Sequence, residues 1–432
     1  MPRIAFYGDD FTGATDTLAT CARAGLRSLL FMRVPDAAQL ARAGELDVLG
    51  IAGATRSMAP AQIRAALQPA AQLFAALGVP LVHYKTCSTF DSAPQVGNIA
   101  TAVEVLRAAL PVAPVAILGG QPSLGRFCLH ANLFAAAGAD GAVHRIDRHP
   151  TMSRHPVTPM HEADLRLHLA AQGMAPIESV AYPAYAFGAD HVEQRWLAAQ
   201  RGGAAATLFD VGEAAHLPLI GSVLARQAAR GSLIAVGASS VAEAMAPQWA
   251  SAARAAPTDV VDAARGPVLL LAGSLSPVTA RQVAAARSYT LVALDARRLG
   301  EGDSAYLAHA AAQCASALRA GRHVLACSAD ADGNAPANVP GRAVALASAA
   351  LLAQVLETVP LTRVGVAGGD TSSLAMQALD GWGLAHLARI APGVALCRLY
   401  SDRPALDGLE IMLKGGQMGP DDLFEQFVHG MR

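Results

Sequence analysis

The chain is poor in the features that mark several large classes of protein. Charged residues make up only 16% of its 432 residues, and 33 Lys and Arg are balanced by 34 Asp and Glu. Because no basic surplus is available for a phosphate backbone, nucleic acid is not expected as a partner. Apolar runs such as residues 343–353 are shorter than the roughly 20 residues that cross a bilayer, so no membrane partner is expected.

Cysteine is scarce and scattered. The six cysteines include no C-x-x-C pair, which argues against a disulfide framework and against a zinc site. The first residues contain no basic segment followed by an apolar one, so no secretory signal is expected. Both observations favour reduced thiols and a cytoplasmic location.

Two glycine motifs are also absent. The chain has no G-x-x-x-x-G-K-[ST] phosphate loop, and it has no G-x-G-x-x-G at the start of a βαβ unit, which disfavours a nicotinamide-dependent dehydrogenase. Apolar residues, in contrast, reach 53%, which argues against disorder. A length of 432 residues exceeds the usual limit of one hydrophobic core and predicts two domains.

Short apolar segments alternate with helical patterns along the first part of the chain. This alternation predicts an α/β fold with a doubly wound parallel sheet and helices on both faces. Helical patterns cover residues 60–77 and 99–109. The candidate strands are residues 4–7, 29–32, 48–52, 81–85, 115–118, 179–182, 206–210 and 233–236.

A second α/β domain is predicted after a junction. Residues 250–267 lose periodicity and contain two prolines, so we divide the chain into a first domain (1–250), a linker (251–266) and a second domain (267–432). Residues 329–341, rich in Asp, Gly, Asn and Pro, predict a surface loop. Strands of the second domain are expected near residues 268–272, 291–294, 323–326, 363–366 and 409–413.

The segment GDDFTGATD, residues 8–16, follows the first strand and opens a helix whose apolar spacing begins at about Thr15. Open α/β sheets bind ligands at the carboxyl ends of their strands. There the helix amides favour an anion, while Asp9, Asp10 and Asp16 can orient hydroxyls, hold a cation or accept a proton. The alternative is that Asp10 or Thr12 only caps the helix. Three acids, two threonines and two glycines in nine residues favour a site.

A second polar segment, HYKTCSTFDS at residues 83–92, follows another strand. Lys85 suits the carboxylate of a small polyhydroxylated anion, and Ser88 and Asp91 suit its hydroxyls. A polar turn with a surface ion pair between Lys85 and Asp91 is the alternative. Arg56, after the strand at 48–52, is either a bidentate carboxylate ligand or a solvated surface residue.

Residues 148–160, RHPTMSRHPVTPM, combine two arginines, two histidines and three prolines in one connection. The cations can cover an anionic substrate. The prolines equally suit a rigid crossover between strands.

Three further turns follow strands of the second domain: GSLS (273–276), GGDTSS (368–373) and KGGQMG (414–419). Hydroxyls and backbone amides at such turns bind anions, paired glycines let the backbone approach a phosphate, and Lys414 offers a point charge. A serine N-cap is the alternative for the first turn. Together the turns predict a polyphosphate site assembled from separate pieces.

Five blocks of the chain resemble the four-carbon acid sugar kinases, which include 3-oxo-tetronate and D-threonate kinases. They occur in that family's order between residue 4 and about residue 427: GDDFTGATD, YKTCSTFDSAPQVGNI, LLLAGSLSPVTARQ, VAGGDTSSLAMQAL and LKGGQMGPDDLFEQF. The resemblance implies transfer of the γ-phosphate of ATP to a hydroxyl of a four-carbon sugar acid. It also implies an N-terminal domain that binds the acid and a C-terminal domain that binds the nucleotide.

The resemblance further implies roles for individual residues. Asp10 or Asp9 would be the base for the acceptor hydroxyl, Mg²⁺ would bridge the phosphates, and Lys414 would offset their charge. The sequence does not choose between the two aspartates and identifies no metal ligand. The residues implied to face the acid are Asp9, Asp10, Arg56, Lys85, Ser88, Asp91, Arg154 and His155. Those implied to face the nucleotide are Ser274, Ser276, Gly368, Gly369, Asp370, Thr371, Lys414, Gly415 and Gly416. A homodimer is a further expectation from the family.

Two departures from the family pattern bear on specificity. Residues 121–127 read QPSLGRF, where members expected to act on 3-oxo-tetronate have a turn rich in Asn, Arg and Thr, so the identity of the acid stays open. Gln417 replaces an Asn in the last block and preserves the amide. Two alternatives to a kinase also stay open: a sugar-acid-binding sensor without catalysis, and a nicotinamide-dependent sugar-acid dehydrogenase.

Overall fold

The computed structural model describes residues 1–137, 141–249, 260–273, 276–328 and 341–431. The chain divides into two compact units, Met1–Ala256 and Pro257–Arg432. The loop predicted at 329–341 lies outside the described residues except for its last residue, and the predicted linker is described only from residue 260. Among the described residues no helix is long and apolar enough to cross a bilayer.

The N-terminal unit confirms the predicted α/β fold. Its strands are β1 (Ile4–Gly8), β2 (Ser28–Phe31), β3 (Val48–Ala52), β4 (Leu81–Lys85), β5 (Val115–Gly119), β6 (Arg126–Leu129), β7 (Asn132–Ala137), β8 (Ala142–Arg145), β9 (Ile177–Val180), β10 (Ala206–Asp210) and β11 (Leu233–Gly237). Its helices are α1 (Phe11–Arg23), α2 (Ala37–Ala43), α3 (Pro60–Ala76), α4 (Ile99–Ala109), α5 (Leu165–Ala170), α6 (Gly188–Arg201), α7 (His216–Arg230) and α8 (Ser240–Trp249).

The large sheet of this unit is parallel, in the order β2-β3-β1-β4-β11-β5-β10-β9. Its central strands are buried along their length, as expected for a sheet covered by helices on both faces. Gly8 is paired with Ala52 and with Lys85, and Lys85 is paired with Gly237. The ends of β1, β3, β4 and β11 are therefore level, and the turns that follow them meet at one edge.

The structure corrects several details of the predicted elements. Helix α1 begins at Phe11 rather than near Thr15, because Asp10 caps it. The strand expected at 179–182 is Ile177–Val180, and a 3-10 turn, Tyr182–Phe187, follows it. Strands β6, β7 and β8 form a small antiparallel sheet that was not predicted. Residues 148–160 contain a 3-10 turn, Met152–Arg154.

The C-terminal unit is also α/β. Its strands are β12 (Leu269–Ala272), β13 (Tyr289–Ala293), β14 (His323–Cys327), β15 (Arg363–Ala367), β16 (Gly383–Ala391), β17 (Val394–Tyr400) and β18 (Glu410–Lys414). Its helices are α9 (Pro277–Ala285), α10 (Ala296–Gly300), α11 (Ser304–Arg319), α12 (Gly341–Thr358), α13 (Gly369–Leu379) and α14 (Leu423–His429).

Parallel strands of this unit follow the order β13-β14-β12-β15-β18, and the antiparallel strands β17 and β16 continue the sheet. The antiparallel hairpin was not predicted. Ala272 is paired with Ala367, and Ala367 with Lys414. Strands β12, β15 and β18 therefore end level, which places the three turns predicted for a polyphosphate site side by side.

Candidate functional site

Asp9 lies in the turn after β1 and forms hydrogen bonds with residues at the carboxyl ends of β3 and β4. Its backbone N–H donates to the Lys85 carbonyl (2.9 Å), and its carbonyl accepts from the Arg56 N–H (3.0 Å). Its carboxylate accepts from Arg56 Nε (3.2 Å) and Nη2 (3.1 Å) and from the Cys87 N–H (3.2 Å). The Asp9 side chain is only 7% exposed. The carboxylate is therefore occupied by protein donors on both oxygens.

Asp10 is the more open of the two acids. Its Oδ1 caps α1 by accepting from the Gly13 N–H at 3.0 Å. The same oxygen lies 3.0 Å from Arg56 Nη2 and 3.7 Å from Lys85 Nζ. The Asp10 side chain is 23% exposed. Asp10 thus serves as the cap that the sequence offered as an alternative and also remains accessible at the edge of the sheet.

Lys85 reaches the N-terminus of α1 because residue 13 has no side chain. Its side chain is 4% exposed, and its Nζ lies 4.0 Å from Asp9 Oδ1. A Cβ atom on Gly13 would overlap the Lys85 ammonium and would lie 2.5 Å from Asp10 Oδ1. We call Asp9, Asp10, Arg56 and Lys85 the charge cluster. Two carboxylates and two cations leave it without net charge.

The two carboxyl groups of the charge cluster have pKa values shifted in opposite directions. At Asp9 burial is the largest influence and raises the pKa above its ordinary value, although Arg56 and Lys85 oppose it. At Asp10 burial also opposes ionisation, but the charges of Arg56 and Lys85 outweigh it, so the pKa is lowered. Neighbouring carboxyl groups with separated pKa values are typical of sites that hold one acid ionised.

The segment after β4 places the other predicted acid-binding residues. Ser88 is half-buried in a turn. The buried Asp91 accepts a hydrogen bond from Thr89 Oγ1 at 2.6 Å, and Thr89 Oγ1 lies 3.1 Å from Cys87 Sγ. Burial raises the pKa of the Cys87 thiol to about 11, which keeps it protonated. Ser88 therefore has the more accessible polar side chain of the two predicted hydroxyl ligands.

Arg154 and His155 are not brought to the charge cluster. Arg154 is exposed at the end of its 3-10 turn. His155 Nδ1 accepts a hydrogen bond from the Thr158 N–H at 3.1 Å, so its ring stabilises the local turn. Across residues 1–137 and 141–249, neither residue forms a hydrogen bond or ion pair with the cluster. The contact of Arg154 and His155 with the acid stays a prediction.

The turn after β5 adds polar residues that sequence reasoning did not place in the site. Gln121 Nε2 donates to Glu243 Oε1 (3.2 Å) on α8 and reaches Asp16 Oδ2 (3.5 Å) on α1. Ser123 Oγ donates to Glu243 Oε1 at 2.6 Å. Burial raises the pKa of Glu243. Arg126 lies beside this turn. The expectation that ligands bind at the carboxyl ends of parallel strands, which singled out Lys85, applies to this turn as well.

In the C-terminal unit, Lys414 ends β18 and is fully buried. Its Nζ donates to Thr279 Oγ1 at 2.9 Å and lies 3.4 Å from the Gly416 carbonyl. No carboxylate lies within ion-pair distance of it in the part of the unit that is described. Burial lowers the pKa of Lys414 to about 8. An anion bound beside this ammonium would supply the missing countercharge.

The glycine-rich loop after Lys414 is held against α9. Ser276 caps α9 and donates to the Gly416 carbonyl, which also accepts from Thr279 Oγ1 at 3.0 Å. Gln282 Nε2 contacts three consecutive carbonyls of the loop, at Met418 (3.0 Å), Gly419 (3.2 Å) and Pro420 (2.9 Å). Gly415 and Gly416 therefore lie in a fixed turn next to the ammonium.

The turn after β15 lies beside this loop. The Gly368 N–H donates to the Lys414 carbonyl at 2.9 Å, and its φ of 130° is a conformation that favours glycine. Gly369 is the first residue of α13, and the Thr371 side chain is buried where a Cβ on Gly273 would meet it. Asp370 is placed only through its backbone, in the first turn of α13, and Ser274 lies outside the described residues.

Comparisons with known proteins match the two units separately. Residues 4–245 match the sugar-binding N-terminal domain model, and residues 269–424 match the nucleotide-binding C-terminal domain model. The chain is 38% identical to the 3-oxo-isoapionate kinase of Paraburkholderia graminis, over 99% of this chain and 94% of the relative. It is 31% identical to the 3-oxo-tetronate kinase of Cupriavidus necator, over 98% of this chain and 96% of the relative.

A solved structure has the same fold across both units. It is a protein from Salmonella typhimurium LT2 with the provisional name tRNA synthase, 25% identical, with a TM-score of 0.81 over 99% of this chain and 98% of that one. The named relatives are kinases, so neither the dehydrogenase nor the sensor alternative is favoured. Because both domain models match in order and the relatives align over nearly the whole length, the chain belongs to the four-carbon acid sugar kinase family.

Proposed function

We propose that the protein transfers the γ-phosphoryl group of ATP to a hydroxyl of a short sugar acid, of the tetronate or 3-oxo-tetronate class. The observation that carries this proposal is Asp10, an accessible carboxylate held at a helix N-terminus by two cations. The named kinase relatives support the reaction class. The 3-oxo acids in their names support the class of acceptor.

Asp10, rather than Asp9, is our choice for the residue that accepts the proton of the acceptor hydroxyl. A general base must first be within reach of the proton, and its pKa matters second. Asp9 has both oxygens engaged by Arg56 and the Cys87 N–H and is nearly buried. Asp10 is more exposed, and its pKa is lowered by Arg56 and Lys85, so it is ionised at neutral pH despite its burial.

Arg56 and Lys85 act in this proposal on the aspartates rather than on the carboxylate of the acceptor. The Arg56 guanidinium already makes a two-point contact with Asp9 and also contacts Asp10. Lys85 is buried between the same two acids. Both cations therefore fix the position and charge of Asp10, which is the positioning that phosphoryl transfer chiefly requires.

The phosphates of ATP are proposed to lie on the turns after β12, β15 and β18. Lys414 supplies a cation without a carboxylate partner among the described residues, and the N-terminus of α13 supplies backbone amides. Ser276, Gly368, Gly369, Thr371, Gly415 and Gly416 line these turns. The role of these groups is to bind the phosphates and offset the negative charge that develops on them.

Mg²⁺ is proposed to arrive on the phosphates of ATP. The described residues contain no group of three or more His, Cys, Asp or Glu side chains that could hold a metal ion. Mg²⁺ is commonly bound through substrate phosphates and water with only one or two carboxylates. The residues shown do not form a metal site by themselves, so no step is derived through the ion. A homodimer, a cytoplasmic location and the lack of a nucleic-acid partner also remain predictions.

The test is ADP release by the purified protein with Mg·ATP across a panel of tetronates, 3-oxo-tetronates and pentonates. Release that depends on one acid would establish the reaction and name the acceptor. Calorimetric binding of ATP without release would leave a nucleotide-binding protein whose acceptor is not in the panel. If the protein neither releases ADP nor binds ATP, that result would contradict the proposed function.

A further inference from the structure

Arg126 is a cation that the described protein does not neutralise. Its Nη1 donates to the Leu124 carbonyl, and its buried Nε has no acceptor among the described residues. No carboxylate of that part of the chain lies within ion-pair distance of it. Burial lowers the pKa of Arg126. A partly buried guanidinium without an anion is unfavourable unless a ligand supplies the countercharge.

The position of Arg126 is fixed at the same edge of the sheet as the charge cluster. Its backbone exchanges two hydrogen bonds with Gln121, at 3.1 and 2.9 Å, at the end of β5. Strand β5 is next to β11, and β11 is next to β4, which carries Lys85. The turn that carries Arg126 therefore lies two strand positions away from Lys85 along this edge of the sheet.

The other charged groups at this edge do not suit a carboxylate. Arg56 and Lys85 are matched by Asp9 and Asp10. Asp16 and Glu243 both contact Gln121 Nε2, so the side chains beside Gln121 are acidic and do not attract an anion. Arg126 Nη1 is bound to the Leu124 carbonyl, and Nη2 forms no hydrogen bond among the described residues. A guanidinium can match the two oxygens of a carboxylate with two parallel N–H groups.

We propose that Arg126 binds the carboxylate of the acceptor through its guanidinium and thereby restricts the enzyme to acids. This inference rests on the proposed function, since it concerns the same acceptor.

The test compares wild type with two variants. Arg126→Met keeps much of the side-chain length and removes the charge. Arg126→Lys keeps the charge but lacks the paired N–H groups of the guanidinium. Arg148→Met is the matched control, because the Arg148 side chain is 77% exposed. The acceptors are the acid of the panel that gives most ADP release, or erythronate if none does, and the neutral alcohol erythritol.

For Arg126→Met we expect KM for the acid to rise about 10²-fold, with KM for ATP unchanged and the preference for acid over erythritol lost. Arg126→Lys should retain part of that preference, and Arg148→Met all of it. Equal acid preference in wild type and Arg126→Met would overturn the proposal.

A binding measurement separates this inference from the proposed function. The acid should raise the thermal midpoint of wild type and of Arg148→Met but not that of Arg126→Met. If that pattern appears with neither ADP release nor ATP binding, Arg126 is supported and the kinase proposal fails. If the acid stabilises wild type and Arg126→Met equally, or stabilises neither, the Arg126 proposal fails whether or not ADP is released.

Discussion

The substitution Asp10→Asn distinguishes the helix-capping role of Asp10 from its proposed role as the catalytic base. The carboxylate caps α1 through the Gly13 N–H at 3.0 Å, and it is the accessible acid of the charge cluster. Asn is about as good an N-cap as Asp, so the variant keeps the cap and loses the charge. Arg56 stays bound to Asp9 through two contacts. The variant should therefore fold with the cluster otherwise in place.

The expected loss is catalytic. Removal of a general base costs about 10²–10⁴-fold in rate, so we expect kcat to fall at least about 10²-fold. The free energy of unfolding should fall by about 1.5–3 kcal/mol, the size of one hydrogen bond to a charged group, because Arg56 and Lys85 lose a carboxylate partner. ATP affinity should not change, because Asp10 belongs to the sugar-binding unit.

Asp36→Asn provides the matched control. Asp36 caps α2 by accepting from the Gln39 N–H at 2.8 Å and has no proposed contact with substrate. The measurements are kcat and KM from ADP release, ATP affinity from calorimetry and the thermal midpoint of each variant. A kcat of Asp10→Asn within about threefold of wild type, or an equal loss in Asp36→Asn, would refute the assignment of Asp10 as the base.

The pH dependence of kcat/KM distinguishes the two aspartates. A base is active only when ionised, so activity falls as the pH drops through its pKa. The pKa of Asp10 is lowered, which predicts an acidic limb below the ordinary value of about 4. The pKa of Asp9 is raised by burial, so a limb above that ordinary value, in protein that fluorescence shows to be folded, would assign the role to Asp9.

Three further predictions concern the other parts of the site. Because burial lowers the pKa of Lys414 to about 8, ATP affinity measured by calorimetry should fall as the pH rises through that value; constant affinity up to about pH 9.5 would contradict this role. Gly369→Val should abolish ATP binding by crowding the start of α13, whereas Gly341→Val, at the start of α12 with nothing within 4 Å, should not. Gly13→Ala should displace the Lys85 ammonium and lower kcat at a nearly unchanged thermal midpoint; wild-type kcat would show that Lys85 tolerates the shift.

The positions of the polar turns could be predicted because they follow from local rules. The turns of the site contain glycine or polar residues directly after short apolar strands, and parallel strands bring their carboxyl ends to one edge. Asp9 follows β1, and Lys85 is the last residue of β4. Their side chains lie close together in the structure. The antiparallel β16–β17 hairpin was missed because no candidate strand was predicted between residues 366 and 409.

The ion-pair partners of the arginines could not be predicted from the sequence. Arg56 and Arg126 both stand near a strand end, yet one is neutralised by Asp9 and the other has no carboxylate partner in the described chain. Arg154 looks similar in sequence and is exposed. These differences depend on which side chains the fold brings within a few ångströms, which residue type and spacing do not determine.

The close approach of Lys85 to Gly13 links two positions that are 72 residues apart in sequence (85 − 13). No side chain fits at position 13 while the ammonium occupies its place, so a larger residue there is acceptable only if residue 85 shortens or turns away. The two positions should therefore change together over evolutionary time. A relative with a larger residue at position 13 should lack the lysine at 85, and its Asp10 would need another cation.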